Sequence, residues 1–171
     1  MTRAAPGGKG SLRMSSTQPL IRTASSNDMP ALVNLVEQYW SFEGIAGFEA
    51  RRVESLLRAA VLADGRARCW LAERAGEVGG YLLAVLVFSL EHGGMMAEID
   101  EFFVTPAFRR QGIGAALLLK AENVLRESGV QRLQLQLGSA NARARDFYAA
   151  RGYGRRSGFD LWDKALPQTL P

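Results

Sequence analysis

A short basic loop with two glycines lies between two apolar segments of the chain. Its sequence is Arg109-Arg110-Gln111-Gly112-Ile113-Gly114-Ala115, and the segment that follows repeats apolar residues at helical spacing. Glycine lets the backbone approach a ligand closely, and the N-terminus of a helix attracts anions through its exposed N–H groups. The loop therefore predicts a strand–loop–helix unit whose turn either binds an anion such as pyrophosphate or only makes a tight bend.

The segments on both sides of this loop have the periodicities of strands and helices. Before it, three apolar segments joined by tight turns indicate three antiparallel strands in succession. Amphipathic segments bounded by Asn, Asp or Gly indicate helices. The predicted order is strand 19–24, a helix beginning near Asn27, a helix between Gly47 and Asp64, strands 69–75, 79–90 and 96–104, helix 113–127, strand 133–137, helix 141–152, and a last strand around Phe159 and Leu161.

This order predicts an α/β (α+β) fold built on one mixed, mostly antiparallel sheet of six to seven strands with about four helices. The sheet should be antiparallel early and parallel where the long helix crosses between strands. A chain of 171 residues has room for one such domain. We expect the domain to span residues 19–171 and residues 1–18 to form a disordered tail. The tail lacks the apolar centre of a secretory signal, so we predict a cytoplasmic protein.

Composition argues against several classes of protein. No stretch approaches the roughly 18 consecutive apolar residues of a membrane span, so we expect no membrane partner. The single cysteine, Cys69, cannot form an internal disulfide and has no Cys or His neighbour at metal-ligand spacing. We interpret it as a buried structural thiol, and the single histidine, His92, as a solvated loop residue. No metal ion is therefore expected.

Charge is unevenly distributed along the chain. Residues 72–104 contain one basic and six acidic side chains, whereas residues 105–171 contain eleven basic and five acidic ones. The basic half lacks the interleaved aromatic residues of a single-strand nucleic-acid binder, so we expect no nucleic-acid partner. A small polyanion near the glycine loop explains the basic residues equally well, and the acidic middle segment suits a cationic substrate.

Two motifs in the second half of the chain indicate a known family. The loop departs from the Walker pattern and from the dinucleotide fingerprint, which needs a third glycine where Leu117 stands. It matches R/Q-x-x-G-x-G/A, preceded by Val104-Thr105-Pro106. A second segment follows, Asn141-x-x-Ala144-x-x-Phe147-Tyr148-x-x-x-Gly152-Tyr153. On these motifs the chain resembles the GNAT superfamily of acetyl-CoA-dependent N-acetyltransferases, over about residues 19–165.

The resemblance implies where acetyl-CoA binds as co-substrate. The strands ending at Val104 and near Leu137 would splay apart into a cleft. There the backbone of Phe103 and Val104 would hold the pantetheine arm, and the pyrophosphate would rest on the loop amides. Asn141 and Tyr148 would reach the cofactor near its sulfur. The implied cofactor-binding residues are Phe103, Val104, Arg109, Arg110, Gln111, Gly112, Ile113, Gly114, Ala115, Asn141 and Tyr148.

The resemblance also implies that a neutral amine attacks the thioester directly. A backbone N–H near Phe103 or Val104 would stabilise the carbonyl oxygen, and Tyr148 would donate a proton to the leaving thiolate. A carboxylate would take the proton of the amine. Asp100 is the first candidate and Glu101 the second, in a stretch similar to the polyamine-acetylating branch, from which their order, Asp then Glu, departs.

Other acidic and aromatic residues are candidates for the substrate site. Strand alternation places Glu98 and Asp100 on one face and Glu101 on the other. Each of these acids is alternatively a solvated edge residue. Trp40 and Glu43, between the first two helices, could receive an amine through cation–π and charge contacts, or belong to the core.

The sequence leaves the acceptor open. The predicted function is transfer of an acetyl group to a primary amine of a small molecule or peptide. The alternative is a catalytically silent acyl-CoA sensor, and a homodimer is compatible with the resemblance.

Overall fold

Five strands form one mixed sheet in the order β1-β2-β3-β4-β5. The computed structural model describes residues 18–63, 65–158 and 160–166. The strands are β1 (Leu20–Thr23), β2 (Ala67–Arg74), β3 (Glu77–Ser89), β4 (Gly94–Val104) and β5 (Arg132–Leu135). The helices are α1 (Met29–Glu43), α2 (Ala50–Leu57), α3 (Ile113–Glu127) and α4 (Ala142–Ala149), with 3-10 turns at Ser26–Asp28 and Pro106–Phe108 and a π-helical segment at Arg58–Ala63.

The structure confirms the mixed sheet and the four helices but changes the number of strands. Each strand from β1 to β4 pairs antiparallel with the next. β4 pairs in parallel with β5, and α3 is the connection between these two strands. The described residues contain five strands rather than the predicted six to seven. Phe159, at the centre of the predicted last strand, lies outside the described residues, and Leu161 is in no strand. An apolar pair forms a strand only where a neighbouring strand offers its hydrogen bonds, which the local pattern does not reveal.

The chain divides into two compact units at the Leu135–Gln136 boundary. The sheet, α1, α2 and α3 belong to the first unit, and α4 belongs to the second. The single domain over residues 19–171 stays a prediction, and all of the predicted tail except its last residue lies outside the described residues. None of the helices in the described ranges is long and apolar enough to cross a membrane.

Helices α1 and α2 cover one face of the sheet because their apolar residues recur every three or four positions. Leu32, Leu35 and Val36 of α1 are buried, and the side chain of Glu49 caps α2 by accepting from the amides of Arg51 and Arg52. The buried apolar residues of α1 and α2 form the main core together with residues of the strands. The strand residues in this core are Ala67, Cys69, Leu71, Tyr81, Leu83 and Phe103.

Helix α3 contacts β2, β3 and β4 on the face of the sheet opposite to α1 and α2. The alternate residues of each strand point to that face. Its buried residues include Leu117, Leu118 and Ala121, and a Cβ built on Gly80 would lie 3.4 Å from Leu117. At the neighbouring Gly79 a Cβ would lie 2.2 Å from the buried ring of Phe108. The turn that leads toward α3 is therefore packed directly on β3, and any side chain at residue 79 would displace it.

Cys69 is fully buried in the core facing α1 and α2. Burial raises the pKa of its thiol to about 12, so the thiol stays protonated near neutral pH. The predicted structural thiol is confirmed.

A bulge in β4 changes which side chains face α1 and α2. Leu83 pairs with Glu101 and Ala84 pairs with Ile99, so Asp100 has no partner of its own on β3. Because paired residues point to the same face, the extra residue reverses the alternation, and Glu101 faces the same side as Leu83 and Glu98. The prediction that Glu98 and Asp100 share a face opposite Glu101 was wrong, because it assumed an unbroken strand.

A partly buried ion-pair network joins β1 to the start of α1 and to β2. The guanidinium of Arg22 donates to both carboxylate oxygens of Asp28 at 2.7 and 2.8 Å and to Glu73 at 2.9 Å. The amide and hydroxyl of Ser25 also donate to Asp28 at 2.7 Å. The Arg22 hydrogen bonds hold the pKa of Asp28 well below its usual range.

We expect Asp28→Asn to lower the free energy of unfolding at neutral pH by about 1–3 kcal/mol, because Arg22 loses a charged partner. The folded-state pKa of Asp28 lies below the unfolded-state value of about 3.9, so its stabilisation is complete above that pH and is lost as the pH falls through the folded-state pKa. Urea denaturation should show the difference between variant and wild type shrinking below about pH 4. Glu54→Gln, in the exposed pair with Arg58, is the control and should cost about 0.5 kcal/mol or less. Equal stability of Asp28→Asn and wild type at neutral pH would contradict this role.

Candidate functional site

Glu101 is a partly buried carboxylate held by two side-chain donors. The indole Nε1–H of Trp40 donates to Oε1 at 2.6 Å, and the hydroxyl of Tyr81 donates to Oε2 at 2.7 Å. Desolvation raises the pKa of Glu101, and the two hydrogen bonds offset part of that rise. Trp40 comes from α1 and Tyr81 from β3, so three elements of the first unit meet at this carboxylate.

Asp100 occupies the bulge next to Glu101 and has a different environment. Among the described residues, no side chain or backbone group donates a hydrogen bond to it. Partial desolvation raises its pKa, and the nearby charge of Glu98 raises it further. Glu98 itself accepts from the amide of Gln134 on β5 at 2.7 Å. The bulge thus places Glu101, which accepts two side-chain hydrogen bonds, next to Asp100, which accepts none in the described residues.

Both acids line a cavity of about 180 Å³ between the sheet and the first two helices. The rest of its wall is apolar apart from the Trp40 indole nitrogen. The other lining residues are Val36, Trp40, Val53, Leu56, Leu57, Ala60, Ala67, Leu83 and Val85. A concave apolar site with a few polar groups at one end has the usual character of a small-molecule site.

The glycine loop ends in a backbone arrangement that exposes the first amides of α3. Gly112 is the N-cap of the helix with φ of 76°, a left-handed conformation that favours glycine, and Arg110 also has a positive φ of 60°. No side chain caps this end of the helix. The amides of the first turn, at Ile113, Gly114 and Ala115, have no intrahelical acceptor and suit an anion.

Two of the predicted phosphate-binding side chains are engaged within the protein. Arg109 donates through Nε to the carbonyl of Val104 at 2.7 Å, and its guanidinium lies over the rings of Phe42 and Phe103 at 5.0 and 5.5 Å. Gln111 accepts from Arg74 and donates to the carbonyl of Ala107. These contacts fix the loop on β4, α1 and β2, which leaves anion contacts to the backbone amides and to exposed Arg110.

The end of β4 continues beyond its pairing with β5. The parallel pairs run from Met96 to Ile99 on β4, whereas the strand extends to Val104. Peptide-like groups bind such strand edges by adding backbone hydrogen bonds. This is the position predicted for the pantetheine arm, at Phe103 and Val104.

In the second unit, Asn141 and Tyr148 lie at opposite ends of α4. The side chain of Asn141 is the N-cap and accepts from the amide of Ala144 at 3.0 Å, which explains the N-x-x-A spacing. Tyr148 is buried, with ring centroids 5.1 Å from Phe147 and 5.3 Å from Tyr153. The ring of Tyr148 is therefore held by packing.

Sequence reasoning missed Tyr81, and its candidates at the end of α1 differ in position. A tyrosine in an otherwise apolar strand needs a partner for its hydroxyl, and that rule would have singled it out. Trp40 is half-buried beside Glu101, whereas Glu43 is exposed at the last residue of α1. Tyr39, next to Trp40 in α1, has a pKa raised to about 12 by burial and by the negative charges of Glu43 and Glu101.

Groups of three or more His, Cys, Asp or Glu side chains arranged to hold a metal ion do not occur in the described ranges. The absence of a metal ion stays a prediction.

The chain is similar to known acetyltransferases over most of its length. The sequence profile of the Acetyltransferase (GNAT) family matches residues 29–153. An uncharacterised N-acetyltransferase of Archaeoglobus fulgidus is 34% identical over 79% of this chain and 92% of its own. An aminoalkylphosphonate N-acetyltransferase of Salmonella typhimurium is 37% identical over 56% of this chain and 62% of its own.

A solved structure has the same fold. It is an integron cassette protein from the mobile metagenome of Cole Harbour Salt Marsh, 30% identical, with a TM-score of 0.75 over 86% of this chain and 91% of its own. The strand–loop–helix unit, the acids on the bulged strand and these similarities all indicate the same family. The chain therefore belongs to the GNAT acetyltransferase family and is an acyltransferase enzyme.

Proposed function

We propose that this enzyme transfers an acetyl group from acetyl-CoA to a primary amine of a small molecule or peptide by direct attack. The observation that supports it most is the pair of acids at the end of the apolar cavity, one held by two donors and the other without such partners. The sensor alternative is not favoured, since the matched relatives are named N-acetyltransferases. A homodimer and a cytoplasmic location stay predictions.

The residues available for acetyl-CoA suit its two polar parts. The thioester supplies an acyl carbon open to attack. The backbone edge of Phe103 and Val104 can bind an amide-containing arm, and a backbone N–H there can stabilise negative charge on a carbonyl oxygen. The amides from Gln111 to Ala115 and the side chain of Arg110 can bind a pyrophosphate. Arg109 contributes by fixing the loop.

Asp100 is the better candidate for the general base. Asp100 accepts no hydrogen bond in the described residues, whereas each oxygen of Glu101 already accepts one, and these bonds offset part of the rise in the pKa of Glu101. The raised pKa of Asp100 moves it toward the range in which a carboxylate removes a proton efficiently. Asp100 would accept the ammonium proton of the substrate directly or through water.

Glu101 is proposed to bind the substrate ammonium as a fixed anion. Trp40 and Tyr81 favour its ionised form inside an apolar wall, where an unpaired carboxylate would otherwise take up a proton. Glu98 lies on the same face and adds negative charge, and Glu43 stands at the exposed end of α1. The positive substrate is thus attracted before its proton is removed.

We expect Asp100→Asn to lower kcat/KM by about a hundredfold or more, the usual contribution of a general base. The assay is release of the CoA thiol across a panel of polyamines, amino acids, aminoglycosides, alkylamines, aminoalkylphosphonates and peptide N-termini. Glu98→Gln removes a charge that raises the pKa of Asp100, so the acidic limb of the pH profile should move to lower pH. Unchanged rates in Asp100→Asn would exclude Asp100 as the base, and absence of acetyl transfer to every amine would refute the proposed function.

Tyr81→Phe should raise KM for the amine several-fold with a smaller effect on kcat, because Glu101 loses one of the donors that keep it ionised. Tyr39→Phe removes a neighbouring hydroxyl that is not one of the Glu101 donors, and it should leave KM unchanged. The ring of Tyr39 packs against Tyr81 and Phe103 at 6.5 and 5.9 Å. Equal KM values in the two variants would show that the Tyr81 hydroxyl does not contribute to substrate binding.

Tyr148 is proposed as the general acid that protonates the leaving thiolate at its sulfur. Phenylalanine at this position keeps the ring contacts with Phe147 and Tyr153 and removes only the hydroxyl. We expect Tyr148→Phe to lower kcat by about tenfold or more with nearly unchanged affinity for CoA. Tyr153→Phe is the control for a hydroxyl in the same ring cluster. A Tyr148→Phe variant with wild-type kcat, measured where chemistry limits turnover, would leave Tyr148 a packing residue.

A further inference from the structure

The cavity beside Asp100 and Glu101 has an apolar wall contributed by five elements of the first unit, namely α1, α2, the π-helical segment, β2 and β3. Trp40 and Val36 come from α1, Val53 and Leu57 from α2, and Leu83 and Val85 from β3. The indole N–H of Trp40 is already donated to Glu101. The wall away from the acids therefore offers contacts to hydrocarbon and no hydrogen bond of its own.

The charged groups of the cavity are confined to one end. Asp100 and Glu101 are the ionisable residues in its lining, and both lie on β4 just before Phe103 and Val104, the residues assigned to the donor. A ligand that satisfies the cavity has one cationic end near β4 and an uncharged remainder toward α2. No cationic side chain contributes to the lining.

From this arrangement we infer that the acceptor is a primary monoamine carried on a short hydrocarbon group, an alkyl or arylalkyl amine. The inference rests on the proposed acetyl transfer and names the substrate class of that site. The ammonium binds at the two acids, and the hydrocarbon removes its own surface and that of the wall from water.

The same cavity disfavours more polar amines. The second ammonium of a diamine would be desolvated against Val53 and Leu57 without a counter-charge, which is costly for any ion. A phosphonate or carboxylate on the substrate would meet the negative charge of Asp100 and Glu101 with no cation in the wall. A polyhydroxylated amine would leave its hydroxyl groups without partners.

The volume of the cavity limits the length of the hydrocarbon. An engineered apolar cavity of about 150 Å³ binds benzene, so a cavity of about 180 Å³ accepts a hydrocarbon group of about that size. Burial of each methylene should raise kcat/KM about fourfold. The gain should continue from propylamine to about hexylamine and stop when the chain reaches the cavity mouth, near exposed Leu56.

The first experiment compares amines of matched length by CoA-thiol release. Propylamine, butylamine, pentylamine and hexylamine form the series, and 1,6-diaminohexane, spermidine and 2-aminoethylphosphonate are the polar probes. We expect kcat/KM to rise about fourfold per methylene and to be at least about tenfold lower for 1,6-diaminohexane than for hexylamine. Rates that are flat along the series, or highest for spermidine or the phosphonate, would overturn the inference and leave acetyl transfer itself intact.

The second experiment fills the cavity from one side. Ala60 lines it from the π-helical segment, whereas its neighbour Ala59 is exposed. Ala60→Leu should remove most of the preference for hexylamine over propylamine, and the matched variant Ala59→Leu should keep it. Circular dichroism and thermal unfolding show that both variants are folded. An unchanged preference in folded Ala60→Leu would place the hydrocarbon elsewhere and overturn the inference.

Binding without turnover gives an independent readout. Calorimetric titration of the protein with hexylamine should give a negative heat-capacity change, the mark of apolar burial, that is reduced in Ala60→Leu and kept in Ala59→Leu. If CoA binds and some other amine is acetylated while hexylamine neither binds nor reacts, the inference fails alone. If no amine at all is acetylated, the proposed function fails and the inference fails with it.

Discussion

A carboxylate placed against an apolar layer is the constraint on which the site depends. Glu101 loses much of its hydration, and an ion in such a place is tolerated only if its oxygens find donors. Trp40 and Tyr81 provide them at 2.6 and 2.7 Å from two different elements. The relative positions of α1, β3 and β4 are therefore linked to the ionisation of one side chain, and the stability of this region and its chemistry have the same physical origin.

The bulge at Asp100 makes this arrangement possible. An unbroken strand would point Glu101 toward α3, away from the donors Trp40 and Tyr81. The extra residue turns Glu101 toward α1 and leaves Asp100 beside it with a raised pKa and no donor. Two neighbouring acids thereby acquire different properties, one suited to bind a cation and the other to accept a proton.

The glycine loop and the acids are parts of one continuous stretch of chain. β4 leads from the acids to Val104, the Pro106–Phe108 turn packs on Gly79, and Arg109 ties the turn back to Val104 and to the rings of Phe42 and Phe103. The side chains of the loop thus position its backbone, and no side chain caps the amides at the N-terminus of α3. These contacts connect the two acids on β4 to the glycine loop through a packed turn.

Features that depend on local residues could be predicted from the sequence. The loop before α3, the Asn141 cap, the helices and most strands follow from spacing and from glycine, and motif spacing indicated the family. Three features could not be predicted in this way: the strand count, the face of Glu101 and the hydrogen bond from Tyr81 to Glu101. A bulge depends on how β4 registers against β3, and a hydrogen bond between residues 20 or 61 positions apart depends on packing. Local periodicity holds no information about either, because both are set by contacts between segments distant in sequence.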